Sequence, residues 1–268
     1  MTISAKMIED SFASHGKRIM TMQLCYPRFI HAEFMTHRVF SRNASSSRAI
    51  PVDKMIEQVF HDPATPIHWG KNQAGMQARE ELSGTNLVMA KNYWKEAALA
   101  AVRCATKLNS EGAHKQIVNR ILEPFQWIHV VVTATEWENF YNLRDHQDAQ
   151  PEIQMLAMHM QEVHNWSTPT LLNEGEWHLP YIHQSEREQY DYTDLLKFSA
   201  ARCARVSYLL HDGTEPNPEK DLKLHDQLTK SVPPHMSPVE HQAQSRTEDK
   251  FFANFRGWKQ YRGYLETM

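Results

Sequence analysis

The run Trp127-Ile-His-Val-Val-Val-Thr133 constrains the fold of this chain more than any other segment. β-Branched residues lose rotamer freedom in a helix and fit a pleated surface, so the run reads as a buried strand. A second strand signal lies near the start. Residues 7–10 and 18–24 flank Ser14-His15-Gly16-Lys17, whose turn character predicts a β-hairpin.

Helical periodicity fills most of the remainder. Residues 86–109 carry Leu87, Ala90, Trp94, Ala98, Ala101 and Leu108 at helical spacing. Residues 114–122 predict another helix, stopped before Pro124. A further helix is expected through Asn139 and Arg144. The next has Asp148 as its N-cap, Pro151 just inside, and an apolar stripe of Ile153, Leu156, Ala157, Met160 and Val163. Asp53 is a candidate cap for a short helix burying Ile56, Val59 and Phe60. Residues 61–84 hold Pro63, Pro66, Gly70, Gly75 and Gly84 and read as loop with at most one helical turn. Residues 211–220 form a polar loop too short to mark a domain boundary.

Composition narrows the classes. A chain of 268 residues, 41% hydrophobic, can build one large domain or two small ones. A net charge of −3 creates no global basic field for nucleic acid, so an anionic ligand needs local Arg and His clusters. Cys25, Cys104 and Cys203 are too scattered for a zinc set or a disulfide scaffold and read as reduced thiols of a cytoplasmic protein. The opening residues lack a signal-peptide core, and no run approaches the apolar length of a membrane span. The sixteen histidines include no H-E-x-x-H pair, and His159 and His164 fall off a shared helix face, so no metal is expected.

The densest polar cluster is Thr36-His37-Arg38-Val39-Phe40-Ser41-Arg42-Asn43-Ala44-Ser45-Ser46-Ser47-Arg48. Arginine forks and serine hydroxyls are the donors that a phosphate needs, and small residues let backbone amides approach the same anion. The alternative is a solvated Ser-rich loop.

The cluster resembles the R-H-R…S signature of flavin-dependent thymidylate synthases. His37 and Arg38 match its second and third letters, Ser46 the final serine, and Arg48 an arginine two residues on. Arg120-Ile-Leu-Glu-Pro124 resembles the family's R-x-x-x-P element. Asn139-Phe-Tyr-Asn-Leu-Arg144 with Ala149-Gln150-Pro151-Glu152-Ile153 resembles its N-F-x-x-L-R…A-Q-x-E-I element. Ala204-Arg205-Val206-Ser207-Tyr208 and Pro234-His235-Met236-Ser237-Pro238-Val239-Glu240-His241 resemble elements normally near the family's N-terminus. Residues 199–242 thus match out of order, which implies a single domain over 1–268 with a circularly permuted arrangement. Thr36, Ala44, Thr133 and Asp148 depart from the family pattern, the last replacing a histidine.

The resemblance implies an α/β fold with a mainly antiparallel sheet flanked by long helices, in a homotetramer with active sites between subunits. It implies reductive methylation of dUMP to dTMP, with reduced FAD, methylenetetrahydrofolate and NADPH. It assigns Glu33, Ser46, Ser47, Arg48, Arg120 and Arg144 to the nucleotide, with Arg144 catalytic. His37, Arg38, Val39 and Asn43 go to the cofactor side, as do Asn139, His235, Ser237 and Glu240. From the residues alone, Arg144 reads first as a helix-end arginine paired with Asp145 or Asp148. Ser237 and Glu240 could form a capping box.

Two other functions remain open at this level. One is a related pyrimidine C5 hydroxymethylase or dCMP-directed enzyme. The other is a non-catalytic nucleic-acid-binding protein built on the Ser/Arg loop and the tail Asn254-Phe-Arg-Gly-Trp-Lys-Gln-Tyr-Arg262, although that pattern also fits an element packed on the core.

Overall fold

The computed structural model describes residues 1–206 and 217–267. Ser207 and Tyr208 of the matched 204–208 run, and residues 211–216 of the polar loop, lie outside the described residues.

The hairpin expected near the start is β1 (Ser4–Ala13) and β2 (Arg18–Pro27), paired antiparallel. A short helix α1 (His31–Phe34) leads to β3 (Ser41–Ala44). Three helices, α2 (Val52–His61), α3 (Gly84–Ser110) and α4 (Lys115–Leu122), follow before β4 (Trp127–Ala134). Next come α5 (Glu138–Arg144), α6 (Pro151–Trp166), β5 (Thr170–Leu172) and β6 (Trp177–His178). The remainder is α7 (Gln184–Gln189), α8 (Tyr192–Arg205), α9 (Pro218–Thr229), β7 (Ala243–Ser245), β8 (Phe251–Phe252), β9 (Phe255–Arg256), β10 (Trp258–Gln260) and α10 (Tyr261–Leu265).

The main sheet runs β3-β4-β2-β1-β5 and is antiparallel except for the β1–β5 pair. The β-branched run is therefore an interior strand, as its composition requires. Side chains alternate across it. Met20, Met22, Leu24 and Tyr26 of β2 and Ile128, Val130 and Val132 of β4 face Phe34, Phe140, Ile153, Leu156 and Met160 of α1, α5 and α6. The opposite face is covered by the C-terminal third, where Val131 packs on Cys203 and Val206, and Ile19 on Ala243 and Trp258. Helices α2, α3 and α4 enclose a separate core around Met55, Val59, Ala98, Ala105, Val118 and Leu122.

Two local expectations are corrected. Pro51, not Asp53, is the N-cap of α2, whose buried face is Val52, Met55 and Val59, while Phe60 points outward at 54% exposure. Asp148 does not cap α6; Gln150 does, because Pro151 takes the first helical position. Residues 62–83 are loop, in line with the expectation, and are joined across by one bridge, Gly70 to Glu81. None of the described helices is long and apolar enough to cross a membrane.

Candidate active site

Arg144 ends α5, and its guanidinium reaches back to α1 and the turn after it. Nε donates to His37 Nε2 at 3.0 Å, and Nη1 donates to Glu33 Oε2 at 3.1 Å. Nη2 reaches Thr36 Oγ1 at 3.3 Å and the Glu33 carbonyl at 3.5 Å. The helix-end alternative is not what the chain builds. The Asp148 carboxylate instead meets Arg79 at 3.1 Å.

His37 is buried against the rings of Phe40 and Phe140. Because Nε2 accepts from Arg144, the ring proton belongs on Nδ1. Burial, reinforced by the charges of Arg144 and Arg42, lowers its pKa to about 4. His37 is thus a neutral acceptor near pH 7 that aims the arginine without adding charge. Arg42 holds the same turn from below, donating to the carbonyls of Met35 at 3.1 Å and His37 at 3.0 Å. Arg38 and Val39 are exposed at the tip of this turn, and Arg38 has no ion pair among the described residues. Asn139 is exposed on α5.

The second group of expected residues gathers around α4. Asn119 donates from Nδ2 to the carbonyls of Ser47 at 2.7 Å and Ile50 at 3.1 Å, and Lys115 donates to Ala49 O at 3.0 Å. These bonds seat the Ser46–Arg48 loop on the helix that carries Arg120. Ser47 Oγ at 3.0 Å, Arg120 Nη1 at 2.9 Å and Arg28 Nη2 at 3.0 Å all converge on Glu123 Oε1. Ser47 and Arg120 therefore meet on an internal carboxylate. Sequence reasoning missed Arg28, Lys115 and Glu123, although Glu123 lies inside the matched R-x-x-x-P element. Ser46 Oγ accepts from the Arg48 amide at 3.3 Å, and the Arg48 side chain is exposed without an ion pair among the described residues.

The out-of-order block meets the first one in space. Ser237 Oγ donates to Asn43 Oδ1 at 3.2 Å across 194 positions of chain. Asn43 in turn donates to Cys203 O at 2.8 Å. Gln260 Nε2 ties Ser41 Oγ at 2.8 Å to Glu240 O at 3.2 Å. The capping-box reading is corrected, because Ser237–Glu240 is a 3-10 turn with Met236 as N-cap and no side-chain cap bond. Ser237 is spent on Asn43, and Glu240 pairs with Arg262. His235 is exposed, with its backbone amide bonded to Leu228 O.

His241, the last residue of that match, is buried and bonds Thr133 Oγ1 through Nδ1 at 2.8 Å. Thr133 continues to Thr21 at 2.6 Å, Thr21 to His178 Nε2 at 2.8 Å, and His178 Nδ1 to Ser11 at 2.9 Å. Burial lowers the pKa of His241 to about 3 and that of His178 well below its usual value. In the aromatic tail, Phe255, Trp258 and Tyr261 are buried, so these rings are packed on the core and offer no platform for nucleobases. Among the described residues, no group of three His, Cys, Asp or Glu side chains is placed to hold a metal ion.

The family described as thymidylate synthase complementing protein, Thy1, matches residues 16–170, and the chain belongs to it. Its fold is similar to that of the UMP/dUMP methylase PolB from Streptomyces cacaoi bound with 5-Br dUMP. The two share 15% identity with a TM-score of 0.50, over 60% of this chain and 88% of that one. The same methylase bound with 5-Br UMP gives 16% identity and a TM-score of 0.49, over 60% and 87%. No curated protein matches the chain.

Proposed function

We propose that this protein is a flavin-dependent enzyme that methylates C5 of a pyrimidine nucleotide monophosphate, converting dUMP to dTMP. The observation that carries the reading is the Arg144 cluster. A guanidinium aimed by a neutral histidine keeps a full positive charge at a partly desolvated position. Beside a uracil ring it favours negative charge on N3 or the exocyclic oxygens, and so makes C5 nucleophilic. Preorganised donors of this kind are worth about 3 kcal/mol each at a transition state. Arg144 cannot serve as the base, because guanidinium does not give up its proton near neutral pH.

The nucleotide phosphate is assigned to Ser46 and the exposed fork of Arg48, with Arg120 reached by exchange against Glu123. The donor set also fits a flavin dinucleotide. Arg38 has an exposed fork with no ion pair among the described residues, which suits a diphosphate, and Ser237, Asn43 and Glu240 stand together beside β3. Bound reduced flavin supplies the hydride, and methylenetetrahydrofolate supplies the carbon. NADPH is the proposed source of flavin electrons. The permuted single domain and a homotetramer with shared sites complete the proposal.

A second reading, hydroxymethylation or a dCMP substrate, is favoured by Thr36. It departs from the family arginine and stands 3.3 Å from Arg144. The test is direct. Purified protein is incubated with dUMP or dCMP, methylenetetrahydrofolate, FAD and NADPH, and the product mass is read. A methyl gain on dUMP supports the first reading, a hydroxymethyl gain or a dCMP product supports the second, and no change with either base defeats both.

A further inference from the structure

Residues 67–82, which hold none of the motifs named above, form a ribbon stitched to the Arg144 region. Lys71 N donates to Glu80 O at 2.7 Å and Leu82 N to Trp69 O at 2.8 Å. Gly70 makes this pairing possible, because a Cβ there would lie 2.2 Å from Ala78 Cβ. The base of the ribbon is pinned by Ile67 N, which donates to Oε1 of Glu152 at 2.8 Å. Gln150 holds the other oxygen of this buried carboxylate at 3.0 Å. Both residues belong to the matched Ala149–Ile153 element.

Between the ribbon and that element lies a cleft of about 430 Å³, lined by His68, Gln77, Arg79, Gln147, Pro151 and Gln154. Its position is fixed by chain length. Gln147 is three residues from Arg144, a span of at most ~11 Å. Its chemistry is polar and specific. Three glutamine amides each offer a donor and an acceptor, the pattern that reads a heterocyclic edge or a ribose. His68 Nε2 donates to Ala78 O at 2.8 Å, which leaves Nδ1 as an acceptor. Arg79 supplies the cation, through a single bond from Nη2 to Asp148 Oδ1 at 3.1 Å. Its side chain keeps 65% of its surface exposed, so four of its five donors can turn to an incoming anion. A phosphate offers two oxygens and more charge than one carboxylate oxygen, so it outcompetes Asp148 for the fork.

We propose that this cleft is a nucleotide-binding site in which Arg79 takes a phosphate and releases Asp148. The inference rests on the proposed function for which nucleotides reach it, and it deepens that reading by assigning the ribbon a part in the site. Arg79 then shares one of the phosphates already assigned, joining Arg48 on the pyrimidine monophosphate or Arg38 on the diphosphate of FAD.

The experiment measures dUMP by calorimetry and FAD by fluorescence quenching, on wild-type protein, Arg79→Gln and Asp148→Asn. Arg79→Gln is expected to weaken one of the two ligands about ten- to a hundredfold. Asp148→Asn is expected to tighten that same ligand, because it removes the competing carboxylate. Uridine or riboflavin, which lack phosphate, should bind both variants as they bind wild type. Selective loss of FAD assigns the diphosphate, and selective loss of dUMP assigns the monophosphate. If wild type binds both ligands and Arg79→Gln binds them equally well, the cleft assignment is wrong while the enzyme reading stands. If wild type binds neither, the enzyme reading fails and the cleft assignment goes with it.

Discussion

Arg144 donates through Nε to Nε2 of His37 at 3.0 Å, although 107 positions of chain separate the two residues. That bond settles the imidazole tautomer and points the two terminal nitrogens of the guanidinium toward Glu33 and Thr36. A lysine could keep the charge but could not make the histidine bond and the carboxylate bond at the same angles.

Arg144→Lys should therefore lower turnover more than nucleotide affinity, and Arg144→Ala should damage both. With nucleotide saturating and flavin pre-reduced, the alanine variant should alkylate about a hundredfold slower or worse. Alkylation at the wild-type rate would reduce Arg144 to a bracket for the His37 turn.

Arg48 is exposed and has no ion pair among the described residues, so it has little structural work to lose. Arg48→Ala should leave the melting temperature unchanged and weaken nucleotide binding by about 1.5–3 kcal/mol. Unchanged calorimetric affinity for dUMP and dCMP would remove the serine loop from the phosphate site.

Asn43 joins the two ends of the sequence, bonding Cys203 O and Ser237 Oγ from a buried position. Asn43→Ala should cost about 1–3 kcal/mol in denaturant unfolding, because it leaves buried groups without that partner. A double-mutant cycle with Ser237→Ala should show coupling. Additive effects would mean that the 3.2 Å contact carries no energy.

Asp221 is fully buried and receives both Arg202, at 2.9 Å, and Arg205. Arg202 also grips Glu186 at 2.6 Å, so α7, α8 and α9 share one ionic knot. Asp221→Ala should destabilise the protein by about 3–5 kcal/mol by stranding the arginines. A melting temperature within a degree of wild type would contradict this.

The buried histidines set an acid limit. His37 and His241 have folded pKa values lowered to about 4 and about 3, and His178 is also held well below its usual value. The unfolded chain binds protons first, near pH 6.5, so stability should fall as pH drops from there toward 4. Each such histidine adds about 1.4 kcal/mol per pH unit over that window. Glu9 opposes them, because burial raises its carboxyl to about 7 and stabilises the protonated folded form at lower pH. The net slope should remain toward acid instability, and His241→Gln should flatten it. Urea titrations at pH 7, 6 and 5 that give one midpoint would refute this.

The strand at residues 127–134, the hairpin at its side and the helices that cover them were legible in the sequence. β-Branching, turn chemistry and helical period act between near neighbours and need no tertiary information. The family was legible too, because its motifs are compact runs such as the one from Asn139 to Arg144. Local caps were read less well. Asp53 and Asp148 have the right side chains, but Pro51 precedes one helix as its cap and Pro151 occupies the first position of the other.

Only the tertiary structure decided what each charged group faces. Glu123 inside the R-x-x-x-P element collects Arg28, Arg120 and Ser47. Asp148 turns to Arg79 from a ribbon with no motif, and His241 finds Thr133 beneath the sheet. Apart from Arg120, three residues from Glu123, each of these partners is set by chain closure over long separations, and charged or polar side chains leave no periodic trace of the partner they will meet. Burial adds the rest. The same imidazole is an ordinary base in the unfolded chain and a neutral acceptor once Phe40, Phe140 and Arg144 surround it, because desolvation and a neighbouring charge act only after the fold has formed.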